Sequence, residues 1–480
     1  MIQRELIFPR RIMLAEGDIV GAENMKRVRA RQIGLGHQER EEDLCIITGK
    51  AALIFDFGRE VRGKLRLFVD NALTNGVRTC YVRIRLGESV GECCAEIDEK
   101  GACNDHSPRD FEVPLVMSSD TSWGQSGFRF ARIDFPEGAY VRLAGVLAEG
   151  DILSLPLVTD YCPEEPRLAA IWDTAKRTID LCAAGNYVWD GIKRDRLIWI
   201  GDMHPEMLAL TTLYGRTEVM ENSLTYLREN TYDDYWMCEI PTYSAWWVIV
   251  LADYFARTGC RDFAAENLDY AERILAQFLS HVSEEGIIDE LPMLFVDWPT
   301  HGQPDQMSGV RAILIMMCNK AKELFAAFDR PLPQADELRE RLLRQPMPVT
   351  SAMQVAALKF FALGELPEED VALLRRLGAD GMSTFMSYYI LTAYAHYFGK
   401  EEALEVCRTY YGGMLDRGAT TFWEDFHTAW LEGSGRIDEF TPEGVKDLHG
   451  DYGAFCYIGY RHSLCHAWSS GVITFLEENK

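Results

Sequence analysis

Between Trp189 and Asp202 the chain places three carboxylates (Asp190, Asp195, Asp202), three cations (Lys193, Arg194, Arg196) and two indoles (Trp189, Trp199) in one short segment. Carboxylates accept hydrogen bonds from hydroxyls, guanidinium groups donate them, and an indole face packs against C–H bonds. Together they suit a pocket for a polar, hydroxylated ring. The same residues would also fit a buried ion-pair network at a helix start. A second stretch, Gly418 to Phe426, reads as extended and sets Glu424 directly after Trp423. A carboxylate against apolar surface is poorly solvated and holds its proton more tightly, which suits acid or base work. Its plainer reading is a helix cap or an arginine partner.

Three further groups carry the same residue types. Asp297-Trp298 repeats the acid–indole pairing in a loop. Trp246 and Trp247 follow Pro241 at a helix start and, being adjacent, point to different faces. One is then core and the other free to line a pocket. His462 and His466 lie four apart near the end of the chain and share a face if that segment is helical. With no third ligand in prospect, a neutral histidine donating to a sugar hydroxyl or a carboxylate is preferred over a metal pair.

Other chemistries fit less well. No GxGxxG occurs; Gly58–Lys64 matches GxxxxGK, but Leu65 replaces the Ser or Thr that would hold magnesium, and no helix follows. Gly87-Glu88-Ser89-Val90-Gly91 matches GxSxG without the α/β surroundings of a nucleophile elbow. Thirteen cysteines, an odd number, lack framework or zinc spacing. No metal or cofactor is therefore expected. Paired carboxylates flanking a glycosidic oxygen cleave sugars unaided, so glycoside hydrolysis leads.

The 480 residues exceed what one hydrophobic core holds, and the net charge of −25 argues against nucleic acid or an anionic membrane as partner. No apolar run is long enough to span a bilayer, and the N-terminus does not read as a secretory signal. With scattered thiols, that predicts a cytoplasmic protein. A homodimer is compatible with the organisation below.

Residues 1–160 read as a β-sandwich. Short runs at 52–57, 63–69, 80–86 and 128–135 are separated by Gly, Asn and Pro, with partial alternation of arginine and apolar residues. Residues 91–120 are expected to be a polar loop. From 161 to 480 helical periodicity dominates: 166–184, 203–214, 242–258, 262–282, 307–327, 334–344, 350–363, 367–377, 383–398, 401–412 and 462–477. Short turns join most of them, which predicts hairpins closing into a helical barrel. The long interruptions 185–202, 228–241, 283–306 and 413–461 concentrate Trp, Asp, Glu and His, as functional loops do.

At these residues the chain resembles the α-L-rhamnosidases of glycoside hydrolase family 78. Asp190, Arg194, Asp195, Arg196, Trp199, Gly201 and Asp202 are similar to the family's first signature, Gly418–Glu424 to its second and Ser463–Trp468 to its third. Asp56–Glu60 and Leu86–Ser89 resemble segments of its β-domain. The resemblance implies an (α/α)6 barrel and an inverting hydrolase acting on terminal α-L-rhamnose of a glycoside or oligosaccharide. It further implies that Asp190 and Asp202 hold sugar hydroxyls with Arg194 orienting them, that His466 contacts the sugar, that Trp199, Trp298 and Trp246 wall the pocket, and that Glu424 is the general base; Asp297, read from its pairing with Trp298, is a further candidate for that wall. The first signature lacks the family's glutamate acid. Asp195 takes that place, although two flanking guanidiniums favour its ionised form, and Glu206 is the alternative. Two other readings remain: an unsaturated uronyl hydrolase, with Arg194 and Arg196 meeting a substrate carboxylate, or a non-catalytic carbohydrate-binding protein.

Overall fold

The computed structural model describes residues 1–27 and 40–480. Seven strands come first: β1 (Ile2–Ile7), β2 (Arg11–Val20), β3 (Cys45–Thr74), β4 (Cys80–Gly87), β5 (Asp110–Leu115), β6 (Ser119–Phe135) and β7 (Ala139–Leu153). They form one curled antiparallel sheet in the order β1-β7-β3-β6-β4-β5, with β2 beside β3. The curl comes from β3. Its two ends, Cys45–Thr48 and Val69–Leu73, both pair with the Tyr140–Leu143 stretch of β7. Between them the register on β6 jumps from Asp56–Phe130 to Val61–Phe128. Such a bulge re-aims a long strand, and the concave face closes over Leu53, Phe55, Leu65, Leu67 and Ile133. Residues 91–120 are more ordered than the sequence predicts. They contain the short helix α1 (Val90–Cys94), strand β5 and the start of β6.

Twelve helices follow: α2 (Pro166–Cys182), α3 (Met203–Tyr214), α4 (Glu218–Glu229), α5 (Pro241–Thr258), α6 (Arg261–Ser280), α7 (Gln306–Ala326), α8 (Pro333–Leu343), α9 (Met353–Leu363), α10 (Glu368–Leu377), α11 (Ser387–Phe398), α12 (Lys400–Asp416) and α13 (Val472–Glu478). α3 packs on α5, α5 on α7, α7 on α9, α9 on α11, α11 on α13, and α13 returns to α3. The sequences match that placement. Every residue of α3 is buried, the polar His204, Glu206, Thr211 and Thr212 included, as an inner helix of the ring requires. α4, outside the ring, buries only Val219, Met220, Ser223, Leu224 and Leu227. α5 starts with Pro241 in its first turn and stops at Gly259, whose φ of 67° suits a glycine after a helix.

Two expectations need correction. α4 is absent from the helices read from the sequence, because Ser223 interrupts its apolar stripe. The last helix begins at Val472, not at 462; residues 462–466 are irregular, with a single β-bridge at His466, and Ala467–Gly471 is a 3-10 turn. His462 and His466 therefore share no helix face. No helix among the described residues is long and apolar enough to cross a membrane.

Candidate active site

The three sequence signatures lie side by side. Gly191 and His466 form an antiparallel bridge, and the Ala467 amide donates to the Asp190 carbonyl at 2.7 Å. On the other side of that strap the Glu424 amide donates to the Ser463 carbonyl at 3.0 Å, and the His466 amide to the Phe422 carbonyl at 2.9 Å. Segments far apart in sequence thus present Asp190, His466 and Glu424 at one place.

That place is a cavity of about 190 Å³ whose polar wall is Asp190, Asp195, Asp202, Glu424 and His466. Its remaining wall is aromatic apart from Ile240, Met293 and Cys456, and the rings follow one another in contact. Trp199 meets Tyr243 at 6.1 Å between centroids, Tyr243 meets Phe295 at 6.1 Å, and Phe295 meets Trp298 at 5.0 Å. Trp298 meets Tyr457 at 5.7 Å, Tyr457 meets Trp468 at 6.1 Å, and Trp468 meets His466 at 4.2 Å. Gly201 permits the first of these contacts: a Cβ there would fall 2.1 Å from the Tyr243 ring. The volume is below the roughly 300–1,000 Å³ typical of drug-sized sites, so it suits one small ring.

Arg194 organises the acids. One end of its guanidinium donates to Asp195 Oδ1 at 2.6 Å and the other to Glu424 Oε1 at 3.2 Å. The two carboxylates are therefore held apart by the width of one guanidinium and its two hydrogen bonds. Asp195 is partly exposed, and His106 Nε2 approaches the same Oδ1 at 3.3 Å. Glu424 is buried, and its Oε2 accepts the Ser463 amide at 2.9 Å. Its own carbonyl is fixed by the Thr384 hydroxyl and the Trp468 indole. Asp190 accepts the amides of Asp195 and Leu197, each at 3.0 Å, so it shapes the first signature as well as lining the cavity. Asp202 also lines the cavity, and its carboxylate makes no hydrogen bond among the described residues.

Burial with too few cations sets the proton affinities. Burial, opposed by Arg194 and the Ser463 amide and helped by Asp190 and Asp195, pushes Glu424 up to about 8. Burial and the Asp195 charge raise Asp190 to about 7. Asp202 is held well above the carboxylate range by burial and by Glu206, Asp190 and Glu424. His466 is driven well below its usual value by burial and by Arg194, so it is neutral. Its Nε2 lies 3.5 Å from Glu424 Oε1 and 3.9 Å from Asp202 Oδ2.

Asp297 sits apart from these acids, in an adjoining cavity of about 80 Å³ that shares Trp298, Tyr457, Trp468 and Glu424 with the first. Its carboxylate accepts the Ser383 hydroxyl at 2.5 Å and the Trp298 amide at 2.8 Å, and burial raises it to about 7. Trp246 is not in the wall. It is core, 1% exposed, against His204 and Tyr389; Tyr243, one turn earlier, faces the cavity instead. Glu206 is buried on α3 outside the lining, with Oε1 unpartnered. Tyr243, Phe295, Tyr457 and Trp468 are wall residues the sequence did not single out. Trp468 belongs to the third signature, whereas nothing local distinguishes Tyr457 from other aromatics.

A curled sheet followed by a ring of helices around such a cavity defines the class of fold. No family model matches the chain, and no curated protein matches it in sequence. Among solved structures, a rhamnosidase from Klebsiella oxytoca with rhamnose bound superposes with a TM-score of 0.75 over 100% of this chain and 96% of that one, at 18% identity. A GH78 family rhamnosidase of Bacillus sp. GL1 gives 0.71 at 18% identity, covering 95% of this chain and 48% of that one. The Streptomyces avermitilis α-L-rhamnosidase complexed with L-rhamnose gives 0.63 at 15% identity, covering 90% and 43%. The chain thus has the fold of α-L-rhamnosidases, and it spans about half the length of the latter two.

Proposed function

We propose that this protein is an exo-acting α-L-rhamnosidase that works with inversion and without a cofactor. We read the ring of helices at 161–480 as an (α/α)6 catalytic barrel and the curled sheet at 1–160 as the β-sandwich domain that braces it. The observation that carries the reading is Arg194 bridging Asp195 and Glu424 at the mouth of a cavity walled by aromatic rings. Rhamnose, with a methyl group and three hydroxyls on its ring, presents apolar surface to Trp199, Trp298 and Tyr457 and hydroxyls to Asp190, Asp202 and His466.

In this reading Glu424 removes a proton from a water whose oxygen attacks the anomeric carbon. The bond from that carbon to the aglycone oxygen breaks, and Asp195 delivers its proton to the departing oxygen. The products are a free alcohol and rhamnose of inverted anomeric configuration. Inverting enzymes keep the two carboxyls roughly 6.5–9.5 Å apart to admit that water, and the intervening guanidinium supports a separation of this kind. Arg194 keeps the charge of Glu424 available as base, and an aglycone covering Asp195 strips its water and favours the neutral acid. Glu206 is the less favoured acid, because it lies outside the cavity wall.

Proton NMR of the first-formed sugar during hydrolysis of a rhamnoside tests the proposal. β-L-Rhamnose appearing first is the expected result; α-L-rhamnose first, or no rhamnose at all, overturns it.

A further inference from the structure

Glu424 stands between two cavities. Among the described residues it is the one carboxylate that lines both the sugar cavity of about 190 Å³ and the adjoining cavity of about 80 Å³. Trp298, Tyr457 and Trp468 also belong to both walls and form the partition around it. Asp190, Asp195, Asp202 and His466 face only the sugar side, whereas Ser383, Asp425 and His427 face only the smaller one. The smaller cavity is too tight for a second ring, but at roughly 10–15 Å³ of accessible space for each water it has room for several. Asp297, Asp425 and His427 give those waters polar partners. One end of this cavity reaches solvent, since Phe455 is 47% exposed and the His427 side chain 39%. Glu424 is buried, so the cavity runs from the surface to the candidate base. Asp425 and His427 continue that line outward. Asp425 Oδ1 lies 4.0 Å from His427 Nε2, a gap that one water bridges. Burial raises Asp425 above the usual carboxylate range, with His427 opposing, which suits it to take up a proton.

Inversion consumes a water on the ring face opposite the departing group. A glycoside seated in the sugar cavity closes the way in past Asp195, so that water needs another route to Glu424. Resting on the rhamnosidase reading, we propose that the smaller cavity is a second entrance, by which the hydrolytic water reaches Glu424 and its proton returns to solvent through Asp425 and His427. In each turnover the water gives its oxygen to the anomeric carbon and one proton to Glu424. The bond from that carbon to the aglycone oxygen breaks, and this oxygen takes the proton of Asp195. Glu424 then passes its proton through the cavity water to Asp425, and His427 releases it to solvent. Asp195 regains one proton from solvent, so both carboxyls return to their starting state. Asp425 and His427 do not line the sugar cavity; they are positioning residues that act through Glu424.

The test compares wild type with Asp425→Asn and with His427→Ala, the latter at a partly exposed position. Turnover is read on 4-nitrophenyl α-L-rhamnoside, and rhamnose binding by calorimetry. Each variant is expected to lower kcat about tenfold while KM and rhamnose affinity stay within about twofold. Added imidazole is expected to restore turnover in His427→Ala by carrying the proton in its place. An unchanged kcat in His427→Ala, a loss of rhamnose affinity matching the loss of kcat, or no recovery with imidazole overturns the proposal. A high-resolution crystal structure of the wild-type protein reads the entrance without turnover. Ordered waters linking Glu424 to His427 are the expected result, and a dry cavity removes the entrance even if rhamnosides are cleaved. Ordered waters without cleavage of any rhamnoside keep the water path and remove the rhamnosidase reading.

Discussion

Lys193 and Arg194 are neighbours in sequence, and each ends in a different buried cluster of carboxylates. Around Lys193 the acids are Glu88 and Glu92, at 3.1 and 3.2 Å from its ammonium, which also donates to the carbonyls of Tyr460 and His462. His449 completes that cluster, its Nδ1 accepting the Ser89 hydroxyl and its Nε2 donating to the His462 carbonyl. Glu88, Glu92 and His449 bring ligand-type atoms within 4.8 Å of one another, and the Lys193 ammonium supplies the cation between the two glutamates. Around Arg194 the acids are Asp190, Asp195, Asp202 and Glu424, with one guanidinium among them and an open cavity in front. The first cluster satisfies itself and locks sheet to helices. The second leaves acceptors for something else to satisfy. A buried acidic cluster thus marks a site when its hydrogen bonds are incomplete, and marks an interlock when they are complete.

The comparison can be broken at its sharpest point with Glu424→Gln. Turnover of an aryl rhamnoside should fall by about a thousandfold while thermal unfolding stays cooperative, since a base is lost and not a strut. Near-wild-type turnover would make the second cluster another interlock. Lys193→Met should do the reverse. Leaving two carboxylates without their cation should cost about 3–5 kcal/mol of stability, read from urea unfolding. Asp195→Asn should lower turnover about a hundredfold for methyl rhamnoside and much less for 4-nitrophenyl rhamnoside, whose leaving group needs little help; Glu206→Gln should show no such dependence. A titration gives the next effect. As the proposed base Glu424 must act ionised, and burial raises it to about 8, so kcat/KM should drop about tenfold per pH unit below that value. A profile that instead falls as pH rises through 8 would make Glu424 the acid. The smallest effect belongs to Trp246→Phe, which should lower the melting temperature by a few degrees and leave KM unchanged.

The candidate site was legible in the sequence where several chemistry-bearing residues crowd one segment. Asp190, Arg194, Asp195, Trp199 and Asp202 meet in the structure because a few residues of backbone keep them together. Glu424 and His466 were readable from their own short contexts. Tyr243 and Phe295 were not, since an aromatic on a buried helix or loop has the same local pattern whether it faces a core or a cavity. Trp246 shows the same ambiguity in reverse: adjacent indoles at a helix start left open which faced the cavity, and neither does. The helices of the ring were visible through their periodicity. The irregular strap at 462–466 was not, because its shape comes from pairing with Phe422–Glu424 and Gly191, which are distant in sequence.

Glu88 stands on the sheet side of that strap, accepting the Leu464 amide at 2.6 Å, while the preceding amide, of Ser463, grips Glu424. Glu88 and the candidate base Glu424 are therefore joined through one stretch of backbone and two hydrogen bonds. Glu88, itself outside the cavity wall, is thus a point from which the candidate base is held in place.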